Sequence, residues 1–139
     1  MYQSLQGNIG LGKAIEYFTS HQIPVSIPLN DTQPYDLVAD FNGKLQKVQT
    51  KTSRYSETDG QTYLVQLKNS GGNRTGTPRI APFDNTSCDY VFVYTGANKT
   101  YLIPSNEIKS TSSITVGIKY TEYEVVSKTL KDFIDDLTN

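Results

Sequence analysis

Between residues 35 and 52, apolar and polar positions alternate in the way that predicts two strands joined by a turn. Tyr35, Leu37, Ala39, Phe41 and Val48 fall on one face, and Asp36, Asp40, Lys47, Gln49 and Lys51 fall on the other. Asn42-Gly43 lies between them, and Asn-Gly is the strongest short hairpin signal. A two-residue loop pairs Phe41 with Lys44, so the numbers of paired residues add to 85. In that register Asp36 faces Gln49, with Cβ atoms roughly 5 Å apart, and Lys51 lies two positions further along the same face. The apolar face is core. The polar face gathers one acid, one amide and one ammonium, although a solvated strand face that only keeps a protein soluble has the same pattern.

The remaining pattern predicts an α/β domain. Leu11, Ala14, Ile15 and Phe18 form one buried stripe of a helix from 8 to about 21, with Asn8 as its cap. Strands are expected at Val25–Ile27, Tyr35–Phe41, Leu45–Thr52, Thr62–Leu67, Tyr90–Tyr94, Tyr101–Ile103 and Ile114–Tyr120, making a mixed sheet. Ser127 is placed to cap a last helix whose Leu130, Phe133, Ile134 and Leu137 would close the second sheet face. From Asn69 to Asn85, Gly71, Gly72, Gly76, Pro78 and Pro82 with Arg74 and Arg79 predict an irregular loop. No internal repeat is visible, and residues 1–139 read as a single domain large enough for a real core.

Composition removes several chemistries. The single His21 excludes nucleases and hydrolases that need several imidazoles, and the single Cys88 excludes an internal disulfide and a cysteine-based zinc site. Cys88 beside an apolar strand reads as simple burial. No apolar run approaches the roughly 20 residues of a membrane span and no secretory pattern opens the chain, so a cytoplasmic protein without a membrane partner is expected.

Charge is local. The chain carries −1 overall, yet residues 41 to 80 hold seven Lys or Arg against two acids, net +5. That block includes the polar cluster and the loop after it, which makes a plausible phosphate-facing side. Lys47 and Arg54 flank the cluster, and Arg74 and Arg79 lie on the loop, so all four are candidate DNA contacts. Ten tyrosines could include base-stacking groups, but Tyr63, Tyr90, Tyr94 and Tyr101 sit in strand patterns where packing is the commoner use.

Six stretches taken in order carry a family resemblance: Gly7-Asn8-Ile9-Gly10, Val25-Ser26-Ile27-Pro28, Tyr35-Asp36-Leu37-Val38, Val48-Gln49-Thr50-Lys51-Thr52, Cys88 to Val93, and Tyr101-Leu102-Ile103-Pro104. Over residues 7 to 104 the chain resembles the PD-(D/E)XK nucleases, especially the homing endonucleases of group I introns and more distantly the Holliday-junction resolvases. A lone acid-x-lysine triplet is common by chance, so the weight lies on the ordered set.

The resemblance implies a restriction-endonuclease-like core, a mixed central sheet flanked by helices, and a metal-dependent DNA endonuclease that hydrolyses phosphodiester bonds. It makes Asp36 the carboxylate ligand of Mg2+, with Mn2+ as substitute, and puts Gln49 in the usual Asp/Glu place. The main-chain carbonyl of Thr50 becomes a further ligand, and Lys51 the group that orients the attacking water or stabilises the phosphate. Gln49 departs from the superfamily at large, but the intron-enzyme branch resembles this chain in having Gln-x-Lys.

The helix-one glutamate of the family falls at Leu11, where no acid stands. Glu16, the acid on that helix, lies about 140° from Leu11 around the helix and reads more readily as surface than as ligand. Gln6 and Asp40 are weaker substitutes with ordinary solvent-facing explanations. Such enzymes usually act as oligomers, and cutting both strands of duplex DNA requires two sites, so a homodimer or homotetramer is expected. The alternatives are an inactive nuclease-fold protein that binds DNA or a protein partner, and an interaction module that binds no nucleic acid.

Overall fold

In the computed structural model, residues 2–30, 32–56, 60–71 and 79–139 are described; for residues 2–4, 69–71 and 79 only the backbone is. The first helix, α1, runs Tyr2–Ser20 and begins six residues before the expected Asn8. Its early turns are tied to the sheet rather than capped by Asn8: Gln6 Nε2 donates to the carbonyl of Thr52 at 3.3 Å, and Thr52 Oγ1 donates to the carbonyl of Gln6 at 3.3 Å. Gly10 lets the helix lie this close, since a Cβ there would run into Thr52 Oγ1. The helix ends in a Schellman motif. Gln22 takes φ 61°, Ile23 N donates to Phe18 O at 2.8 Å and Gln22 N to Thr19 O at 3.0 Å.

The strands that follow are β1 Val25–Ser26, β2 Leu37–Phe41, β3 Lys44–Ser53, β4 Tyr63–Gln66, β5 Asn69–Gly71, β6 Arg79–Ala81, β7 Tyr90–Thr95, β8 Thr100–Pro104, β9 Ser113–Val116 and β10 Glu124–Val125, before the final helix α2 at Leu130–Thr138. The central sheet has the order β1-β2-β3-β7-β8-β10, with β3 and β7 parallel and the other neighbours antiparallel. It is the expected mixed α/β sheet. β4 pairs with β9 and β5 with β6 in two small antiparallel ribbons. The second ribbon corrects the expectation of an irregular stretch at Asn69–Gly71 and Arg79–Ala81, because main-chain pairing needs no apolar alternation.

Both faces of the central sheet are covered. On one, Ala14 and Phe18 of α1 pack on Leu37, Ala39, Val48 and Phe92. On the other, Val91, Val93, Tyr101 and Ile103 meet Tyr63 and Val65 of β4 and Ile114 and Val116 of β9. The second cover was expected from the last helix; instead the β4–β9 ribbon supplies it, and α2 buries no residue. The cap of α2 is Thr129 rather than Ser127, in a capping box with Asp132. Tyr35 is also corrected. It packs with the second cluster, not with Leu37, because the chain bends at Asp36 before the strand begins and the alternation is broken there. No described helix is long and apolar enough to cross a membrane.

Candidate active site

The hairpin forms in the expected register. Phe41 pairs with Lys44 and each pair inward follows, to Leu37 with Val48. There the ladder stops. Asp36 N donates to Val48 O at 2.8 Å, so Asp36 and Leu37 both oppose Val48, the two-against-one count of a β-bulge. The extra residue turns Asp36 away from the straight-ladder position opposite Gln49. Its Oδ2 instead accepts from the Thr50 amide at 2.7 Å and from the Thr50 hydroxyl at 3.1 Å. The direct Asp36–Gln49 pairing expected from the sequence is thereby replaced by an Asp36–Thr50 pairing.

Two oxygen donors, the Asp36 carboxylate and the Thr50 carbonyl, lie on one edge of β3, and Gln49 is the neighbouring residue. Because a strand residue points its N–H and C=O to the same edge, the Thr50 carbonyl lies on the edge where its amide meets Asp36. Gln49 pairs with Val91 of β7 and points to the second core, where it is 7 % exposed. Its Oε1 is buried and receives no hydrogen bond from the described residues.

Lys51 lies two residues along the same face, half-buried. Burial lowers the pKa of its ammonium, and the charges of Asp36 and Cys88 oppose that shift without overcoming it. A cation held partly dry beside a carboxylate is suited to meeting a phosphate or an attacking water.

The other candidates fall elsewhere. Glu16 is exposed on α1, and its position two residues from both buried Ala14 and buried Phe18 turns it roughly 160° from the packed face. Leu11 packs against the first core. Asp40 Oδ1 accepts from the Gly43 amide at 2.6 Å in the hairpin turn, and Gln6 is engaged with Thr52. Lys47 is exposed, with Nζ 5.4 Å from the centre of the Tyr35 ring, and Arg54 lies 4.3 Å from the centre of the exposed Tyr55 ring. Arg74 and the side chain of Arg79 lie outside the described residues. Cys88 is buried, 3.2 Å from Ser105 Oγ.

Among the described residues, no three His, Cys, Asp or Glu converge on one point. The donor types fit a hard cation all the same: the Asp36 carboxylate and the Thr50 carbonyl, with an amide oxygen on the adjacent Gln49, are ligand types that magnesium accepts while keeping several waters. Thr50 is the contributor that the sequence pattern did not reveal as a partner of Asp36. Its place between Gln49 and Lys51 on the ladder edge is the only signal for it, and only the bulge makes that edge available.

By sequence, no curated protein matches the chain. A solved structure, that of the bacterial homing endonuclease I-Ssp6803I, matches with a TM-score of 0.72 and 28 % identity over 87 % of each chain. A profile of PD-(D/E)XK endonucleases matches residues 1–131. Extending over the helix, the hairpin and the parallel β3–β7 pair that carry Asp36, Gln49 and Lys51, this match shows that the chain belongs to the PD-(D/E)XK endonuclease family.

Proposed function

We propose that the protein is a magnesium-dependent DNA endonuclease of the homing-endonuclease or resolvase kind, hydrolysing phosphodiester bonds in double-stranded DNA. The observation that carries this reading is the anchoring of Asp36 on Thr50 with Lys51 within its electrostatic reach. Asp36, Gln49 and the Thr50 carbonyl would hold the cation. When bound, such a cation lowers the pKa of water and neutralises charge growing on the phosphate.

The side chains supply the rest. The Thr50 bonds fix the Asp36 carboxylate so that no reorganisation is needed when charge develops nearby. Lys51, on the strand face of Gln49 and within electrostatic reach of Asp36, holds a phosphate oxygen or the attacking water, and its lowered pKa brings proton exchange closer to neutral pH. Lys47 and Arg54 lie exposed on the same strand region and add sequence-independent phosphate attraction, with Arg74 and Arg79 proposed for the same role. A homodimer or homotetramer would supply the second site for cutting both strands.

The test is incubation with supercoiled plasmid and branched DNA in Mg2+ or Mn2+ at low salt, beside Asp36→Ala, Lys51→Ala and Glu16→Ala. Cleavage lost with Asp36 and Lys51 and kept with Glu16→Ala is the expected result. One observation favours a second reading: Leu11 packs in the core, so the helix-one acid has no equivalent there. Salt-dependent DNA binding without cleavage would establish that inactive-fold reading instead.

A further inference from the structure

The hairpin of β7 and β8 carries an orphaned hydroxyl. Thr95 is 1 % exposed, and among the described residues nothing donates to or accepts from its Oγ1. Tyr94 pairs with Thr100, and Thr95 N donates to the Lys99 carbonyl at 2.9 Å, so Thr95 stands opposite Lys99 across the ladder. Opposed residues share a face with Cβ atoms roughly 5 Å apart, and Tyr101 is the next residue along that face.

These three side chains form one wall of a cavity of about 250 Å³ at the carboxyl end of β7. Gln61, Tyr63 and Gly117, from one end of the β4–β9 ribbon, form the other. Gly117 takes φ 118°, and a Cβ there would strike the Gln61 carbonyl, so only glycine lets the ribbon close in this way.

We propose that this cavity binds a phosphate group. Among the described residues that line it, Lys99 is the one that carries charge, so a cation is repelled and an anion drawn in. Thr95 needs an acceptor in a dry place, and a phosphate presents several oxygens to hydroxyl and ammonium donors at once. Burial first, and the Glu124 charge second, raise the pKa of Tyr101, so its phenol keeps its proton and stays a donor. Glu124, level with Tyr101 on β10, stands 3.6 Å from Lys99 Nζ, too far for a hydrogen bond. Exposed Lys99 is therefore only loosely held, and the carboxylate opposes the anion from the rim.

Two sources offer the same chemistry. Lys51 pairs with Val93 and Ser53 with Thr95, so Thr95 lies one face repeat, about 7 Å, beyond the level of Lys51, and the backbone of bound DNA is one source. Free phosphate or a mononucleotide is the other. The DNA source rests on the nuclease reading; the phosphate chemistry does not.

Melting of the full chain against inorganic phosphate, without metal and with chloride at equal ionic strength as reference, tests it. The expected result is a rise of about 3–6 °C at about ten times a millimolar-order dissociation constant. Thr95→Val and Lys99→Gln should each weaken phosphate about threefold to tenfold, Thr95→Ser should keep it, and Glu124→Gln should tighten it about threefold. No rise beyond chloride, or a rise that Thr95→Val and Lys99→Gln leave intact, overturns the proposal and leaves the cavity to water. Lys99 is exposed, so its substitution reads binding even if Thr95→Val unfolds. A short duplex without metal then names the source. Duplex binding weakened by the same two variants identifies backbone phosphate, whereas duplex binding unchanged or absent beside an intact phosphate response identifies free phosphate or a mononucleotide. Cleavage is not read, so failure of the nuclease reading leaves this result standing.

Discussion

Asp36 and Thr50 are joined twice: one carboxylate oxygen accepts both the amide, at 2.7 Å, and the hydroxyl, at 3.1 Å, of the same residue. The amide bond is charge-assisted and comes from rigid β3, so it sets where the carboxylate stands. The hydroxyl bond narrows the remaining freedom.

Removing the two bonds separately should distinguish position from charge. Thr50→Val keeps the amide and loses the hydroxyl, with an expected cost of about 1 kcal/mol in stability and about tenfold in cleavage. Asp36→Asn keeps an acceptor for Thr50 but loses the charge, and should retain most stability while cleavage falls at least ~10³-fold. Thermal unfolding and plasmid nicking measured on the same preparations separate the two effects. Equal activity losses would remove the distinction.

Gln49→Glu tests the neutral ligand. A carboxylate binds magnesium more strongly than an amide, so the Mg2+ concentration at half-maximal cleavage should fall about threefold to tenfold. Since the position is 7 % exposed, the added charge should cost about 1–3 kcal/mol of stability without the cation. A magnesium titration with and without chelator reads both changes, and an unmoved midpoint would argue against Gln49 as a ligand.

Lys51 carries a pH signature. Burial lowers its pKa in the folded chain below the unfolded value, against the weaker opposing pull of Asp36 and Cys88. Below the folded pKa the ammonium is held at a cost in stability. As pH rises from the folded towards the unfolded value, the unfolded chain binds more protons and stability from this group increases. Lys51→Met should therefore melt at or above the wild-type temperature near neutral pH, and the gap should narrow as pH approaches about 10. Its cleavage should drop by about 10² to 10³ at every pH.

Gly10 is where α1 meets the strand of the site. Gly10→Ala places a methyl on Thr52 Oγ1 and should destabilise the fold by about 1–3 kcal/mol. Thr52→Ala removes that oxygen, so the double variant should recover most of the loss, a coupling that denaturant unfolding of all four proteins would measure. Additive losses would place the strain elsewhere.

The hairpin register, the mixed sheet and the buried stripe of α1 could be read along the chain because each is a local periodicity, repeated over several residues and set by backbone geometry. Asn42-Gly43 defined the pairing from Phe41 to Leu37 for the same reason. Three features were decided only in three dimensions. The slip at Asp36 exchanged Gln49 for Thr50 as its partner, because one extra residue in a ladder re-aims a side chain without changing the pattern that precedes it. The β4–β9 ribbon covered the face expected for α2, since periodicity shows that an element has an apolar side but not what will lie against it. The site's partial burial, and with it the lowered pKa of Lys51, exists only once the chain is folded. The sequence alone therefore determined the hairpin strands, β7 and β8 and which chemistry they carry, while packing between elements distant in the chain decided which of those groups meet and how dry they are.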